Sequence, residues 1–119
     1  MTSSSPVTIY HNPRCSKSRE ALTLLAERGV EPQVIEYLKQ PPDEKTLEQL
    51  LKMLGLRAID LVRKKEEPYR ALGLDAKQDD EKALVRAMVT HPVLIERPIV
   101  VKGGKAIIGR PPQSVLEIL

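Results

Sequence analysis

A change of spacing among the apolar residues divides this chain into short elements. The run VTIY (7–10) is β-branched and aromatic and predicts a first strand. In SKSREALTLLAERG (16–29), Ala21, Leu22, Leu24 and Leu25 recur at helical spacing, and Arg28 and Gly29 supply a stop. PQVIEYL (32–38) predicts a second strand, ended by the QPPDE turn at 40–44. Strand, helix and strand of these lengths make a βαβ unit, and therefore a parallel pair.

Beyond that unit the spacing turns helical. DEKTLEQLLKMLG (43–55) has an acidic start, Leu47, Leu50, Leu51 and Leu54 on one face, and a glycine stop. Shorter, charged helical stretches are predicted at about 57–64, 67–73 and 79–90. PIVVK (98–102), the pair Gly103-Gly104 and KAIIG (105–109) form a hairpin pattern. PPQSVLEIL (111–119) predicts a closing helix entered through prolines. The order β-α-β, several helices, β-β-α predicts an α/β fold of thioredoxin-like type. Its mixed four-stranded sheet is flanked by helices, with a helical insertion between the βαβ and ββα halves. No composition break or repeat interrupts the chain, so residues 1–119 are expected to be one domain, with 1–6 a disordered lead.

Composition narrows the function. A chain of 119 residues with 41% hydrophobic and 29% charged positions reads as a globular domain with a real core. Aromatics are only 3%, Tyr10, Tyr37 and Tyr69, so the core must be aliphatic. The net charge of +3 is a mild bias toward anions. It does not suggest nucleic-acid binding, because single-strand readers combine basic grooves with aromatic platforms and the run RKK (63–65) is followed at once by Glu66 and Glu67. The start MTSSSP lacks a signal pattern, and no apolar run approaches the roughly 20 residues of a membrane span. One cysteine cannot close an internal disulfide, so the expected location is the cytoplasm, where the thiol stays reduced.

That cysteine is where the chemistry concentrates. Cys15 lies after the first strand and at the start of the first helix, beside Arg14, Lys17 and Arg19. A helix N-terminus offers unpaired N–H groups and roughly half a positive charge. Both favour thiolate, and such settings bring a cysteine pKa from about 8.5 into the range of about 3.5–7.5. The same groups hold oxyanions. A dithiol motif needs a second cysteine at position 18, which is Ser18, and a cysteine phosphatase loop needs an arginine where Ala21 stands. A redox cycle must therefore borrow its second sulfur from another molecule, such as glutathione or a glutaredoxin.

The stretches IYHNPRCSKSRE, EYLKQPP, LVRKKEEPY, HPVLIERPIVV and IGRPPQSVLEIL, in this order, resemble the glutaredoxin-coupled arsenate reductase family from about residue 7 to 119. The resemblance implies reduction of arsenate to arsenite, with no bound cofactor and with glutathione and glutaredoxin as external reductants. Cys15 matches the nucleophile; Arg63, Arg97 and Arg110 match the oxyanion-handling arginines; His11 matches the histidine that supports the cysteine. Arg97-Pro98 matches the cis-proline position of the fold. Arginine suits such a site, because its planar fork pairs with tetrahedral oxyanions and stays charged. The family's arsenate-detoxifying members often carry smaller residues after the proline, such as Ala-Cys-Gly-Thr-Ser. Here the loop is Arg14-Cys15-Ser16-Lys17-Ser18, closer to members of unproven substrate, and the added charge suits tighter anion binding or a different thiol substrate.

Blander roles stand beside these. Arg63 fits a solvated helix face, and Arg97 and Arg110 fit loop salt bridges. His11 fits loop capping as well as direct support of the thiol. Ser18 could hydrogen-bond the thiolate or be an ordinary first-turn serine. One cysteine and two separated histidines do not suggest a metal site. Two other classes of function remain: an Spx-like regulator that binds RNA polymerase, and a monothiol glutaredoxin-like carrier. The regulator's redox switch uses two cysteines, which this chain lacks.

Overall fold

The computed structural model describes residues 6–119; the expected disordered lead at 1–6 lies, except for Pro6, outside them. Four strands form one sheet in the order β2-β1-β3-β4: β1 (Val7–His11), β2 (Gln33–Glu36), β3 (Ile99–Lys102) and β4 (Lys105–Ile108). β1 pairs parallel with β2 and antiparallel with β3, and β3 pairs antiparallel with β4. The α/β class and the mixed sheet follow the pattern in the sequence. The described chain divides into two compact units, one through Tyr37 and again from Arg97 to Leu119, the other from Leu38 to Glu96.

In the sheet unit, strand alternation sets the core. Val7, Ile9 and His11 are the buried positions of β1, with Thr8 and Tyr10 less buried between them, as a period of two requires. Helix α1 (Ser16–Glu27) buries Ser18, Ala21 and Leu25, an inward stripe at spacings of three and four. Val7, Ile9, Ala21, Leu25, Val100 and Val115 form one apolar cluster. Each large aliphatic side chain buried there contributes about 1.5–3 kcal/mol. Gly29 ends α1 in the left-handed conformation, φ 74°, that glycine adopts most readily.

The chain's closing segment, Pro112–Ile118, is a 3₁₀ helix and not the expected α-helix. Pro111 and Pro112 have no N–H to give, and the bonds that do form span three residues, as from Ser114 N to Pro111 O at 2.9 Å. That tighter winding turns Pro112 and Val115, three apart, inward together.

The unit from Leu38 to Glu96 is helical. In α2 (Glu44–Leu54), Asp43 caps the first turn by accepting from Thr46 N at 2.8 Å, and Gly55 closes it with φ 70°. Leu47, Leu50 and Leu51 face inward, and α2 packs on α5 (Glu81–Thr90). The other helices are shorter than expected: α3 is Ala58–Leu61 and α4 is Glu67–Ala71. The predicted helix over 57–64 stops early because Val62 turns extended and bridges antiparallel to Ile95, where a β-branched residue is at home. Arg63 therefore lies in a loop and not on a helix face.

Candidate active site

The apolar rows of β1 and α1 both end in a polar residue, and these two meet. His11 is the last inward position of β1 and Ser18 the first of α1; His11 Nδ1 lies 2.6 Å from Ser18 Oγ. The same hydroxyl accepts from Asn12 N at 3.0 Å, within the capacity of one donor and two acceptor sites. Ser18 is fully buried and His11 is 6% exposed. Burial, more than any other influence, lowers the His11 pKa below the ordinary 6.5; the Glu36 charge opposes this and the Arg19 charge assists it. The imidazole is consequently neutral near pH 7.

Asn12 shapes the loop that follows. Its side-chain oxygen accepts from Arg14 N at 3.0 Å and its carbonyl accepts from Cys15 N at 3.0 Å. Arg19 Nη1 ties down Pro13 O at 2.8 Å. The sequence reading passed over Asn12, although an Asn-Pro pair before a helix is a turn signal with a mechanism: the short amide mimics a backbone acceptor.

These bonds fix Cys15 as the N-cap residue of α1, with extended backbone. Cys15 is 9% exposed and forms no disulfide. Burial raises its pKa, but that influence is outweighed by the Ser18 N–H, the Arg97 side chain, the Lys17 N–H and the Arg97 charge, so the thiol falls below its ordinary value. Arg110 Nη2 also lies 3.5 Å from the sulfur. Ser18 thus reaches the sulfur through its backbone N–H, while the hydroxyl expected there is turned to His11 and Asn12.

Arg97 and Arg110 arrive from the hairpin half. Arg97 precedes β3 and Arg110 follows β4, and each stands before a cis proline, Pro98 and Pro111. Arg110 Nε donates to Arg97 O at 2.8 Å, which binds the two loops to one another. Gly109 N donates to Pro98 O at 2.9 Å, and a Cβ on Gly109 would stand 2.8 Å from Pro98 Cγ and 3.1 Å from Val115 Cγ1. The loops approach so closely only because Gly109 has no side chain.

Arg63 lies in the helical unit, and there it is engaged by carboxylates. Its Nη1 meets Glu96 Oε1 at 2.6 Å and its Nε meets Glu66 Oε2 at 3.3 Å. The structure thus brings the Ser18 N–H, Arg97 and Arg110 to the Cys15 sulfur within the sheet unit, holds His11 on the Ser18 hydroxyl and not on the sulfur, and gives Arg63 two acidic partners in its own unit. A sulfur whose thiolate form is favoured by two helix N–H groups, and which two guanidinium groups approach, is equipped to attack an electrophile that bears negative oxygens.

Comparison with known proteins points the same way. The sequence profile of the ArsC family matches residues 10–118. The chain is 59% identical over 114 residues to the uncharacterized protein YfgD of Escherichia coli (strain K12), covering 95% of this chain and 96% of that one. It is 48% identical to an arsenate reductase of Neisseria meningitidis (strain MC58), again over 114 residues, with 95% and 97% covered. Among solved structures, an arsenate reductase from Vibrio cholerae superposes with a TM-score of 0.94 at 52% identity, over 98% of this chain and 100% of that chain. A thioredoxin-like sheet carrying its only cysteine at a helix N-terminus, and near-complete agreement in length with these relatives, place the chain in the ArsC family.

Proposed function

We propose that the protein is an arsenate reductase that works through a covalent Cys15 adduct resolved by glutathione and glutaredoxin. One observation carries the reading: the side chains of Arg97 and Arg110 both reach the Cys15 sulfur. Attack of a thiolate on arsenate brings anion to anion. Paired cationic donors offset that repulsion and stabilise the charge that develops on oxygen. The relatives named arsenate reductases support the substrate.

In the first step the Cys15 thiolate attacks arsenic, an S–As bond forms, and water or hydroxide leaves. Arsenic remains pentavalent. A glutathione thiolate then attacks the Cys15 sulfur. An S–S bond forms, the S–As bond breaks, and its electron pair stays on arsenic, which departs as arsenite. The two sulfurs are left as a mixed disulfide. A glutaredoxin thiolate attacks the glutathione sulfur and returns Cys15 to the thiolate.

The test is a coupled assay with glutathione, glutaredoxin, glutathione reductase and NADPH. Arsenate-dependent NADPH oxidation is expected in the native protein and none above background in Cys15→Ser. Turnover surviving that substitution, or no arsenate dependence in the native protein, overturns the reading. Turnover of glutathione mixed disulfides without arsenate would identify a thiol carrier instead.

A further inference from the structure

The cations near Cys15 divide into two sets. Arg97 and Arg110 touch the sulfur. Arg14 and Lys17, on either side of it in sequence, are exposed, and neither forms an ion pair or side-chain hydrogen bond among the described residues. Four arginines elsewhere are paired with carboxylates: Arg57 holds Asp79, Arg63 holds Glu66 and Glu96, Arg70 holds Glu67, and Arg86 faces Glu44. The donors that favour the thiolate are the Arg97 side chain and the backbone of Ser18 and Lys17. Two open positive charges thus flank the nucleophile in sequence and face solvent.

We infer that Arg14 and Lys17 recognise the sulfur partner of Cys15, and select thiols and disulfides whose sulfur is flanked by carboxylates, as in a small acidic peptide thiol. The inference rests on the part of the proposed function in which Cys15 exchanges sulfur with an external thiol. Exposed cations suit a transient partner: their attraction acts over about one Debye length, roughly 8 Å at physiological ionic strength. It raises the rate of encounter without holding the product. A neutral thiol gains nothing from them.

Exchange kinetics test this without arsenate. In each reaction the Cys15 thiolate attacks a disulfide sulfur, the new S–S bond joins Cys15 to one half of the probe, and the other half leaves as a thiolate. The anionic probe is 5,5′-dithiobis(2-nitrobenzoate), with one carboxylate on each half; the neutral probe is 4,4′-dithiodipyridine. The quantity read is the ratio of the two second-order rate constants. In Arg14→Gln/Lys17→Gln this ratio is expected to fall on the order of tenfold, the scale of two charges acting across about 8 Å of water on a dianion. In the native protein it is expected to fall likewise between about 0.01 M and 1 M salt, as the Debye length contracts from about 30 Å to about 3 Å. A ratio unmoved by either change overturns the inference. Absence of arsenate reduction with this preference intact would overturn only the arsenate chemistry proposed above.

Discussion

At the scale of single residues, the contest at Cys15 is between burial, which favours the thiol, and a set of donors that favours the thiolate. Arg97 contributes twice, as a hydrogen-bond donor and as a charge. Arg97→Gln keeps a polar chain but removes the charge. Its Cys15 pKa is expected to rise, measured from thiolate absorbance against pH, and arsenate turnover to fall on the order of 10²-fold, the usual cost of one oxyanion donor. A variant with unchanged titration and turnover would remove Arg97 from the chemistry. The sequence pointed to Cys15 and its helix start, because both are local. It was less informative about which cations matter. Arg14 and Lys17 stand out by adjacency, whereas Arg110 reaches the sulfur from 95 positions away. Family resemblance, not spacing, singled out Arg97 and Arg110.

Elements bring those distant residues together, and Gly109 shows how narrow the tolerance is. It sits between β4 and Arg110, against Pro98 and Val115. In Gly109→Ala the new methyl must displace the Pro98 ring or Val115, an overpacking that typically costs about 1–3 kcal/mol. A lower denaturation midpoint with reduced arsenate turnover is expected; native values of both would show that the two loops have slack. The boundaries of α2 were legible because Asp43 and Gly55 are local signals with local causes. The early end of α3 was not, since it depends on a bridge between Val62 and Ile95, far apart in sequence. The 3₁₀ winding of Pro112–Ile118 was hidden because prolines mark the start of either kind of helix.

On the scale of the whole molecule, the site writes a pH dependence into folding. The Cys15 pKa lies below that of an unfolded thiol, so its contribution is full above the unfolded pKa and is lost as pH falls through the folded pKa. The His11 pKa lies below 6.5, so the neutral ring contributes fully above 6.5, and that contribution too is lost on acidification. In both cases the unfolded chain binds more protons, and stability decreases with decreasing pH. Between about pH 7.5 and about pH 5 the urea midpoint of the native protein is expected to fall more than that of His11→Asn, which keeps a polar group of similar reach and does not titrate there. Equal slopes would show that His11 is not depressed. Among the described residues no helix is long and apolar enough to cross a membrane.

The inward row of β1 runs Val7, Ile9, His11 without a break between core and chemistry. A strand shows alternate sides to the core, so losing or gaining one residue within β1 would rotate the imidazole to the opposite side of the sheet while every amino acid of the loop stayed the same. The length of that strand is thus as much a part of the site as the cysteine itself.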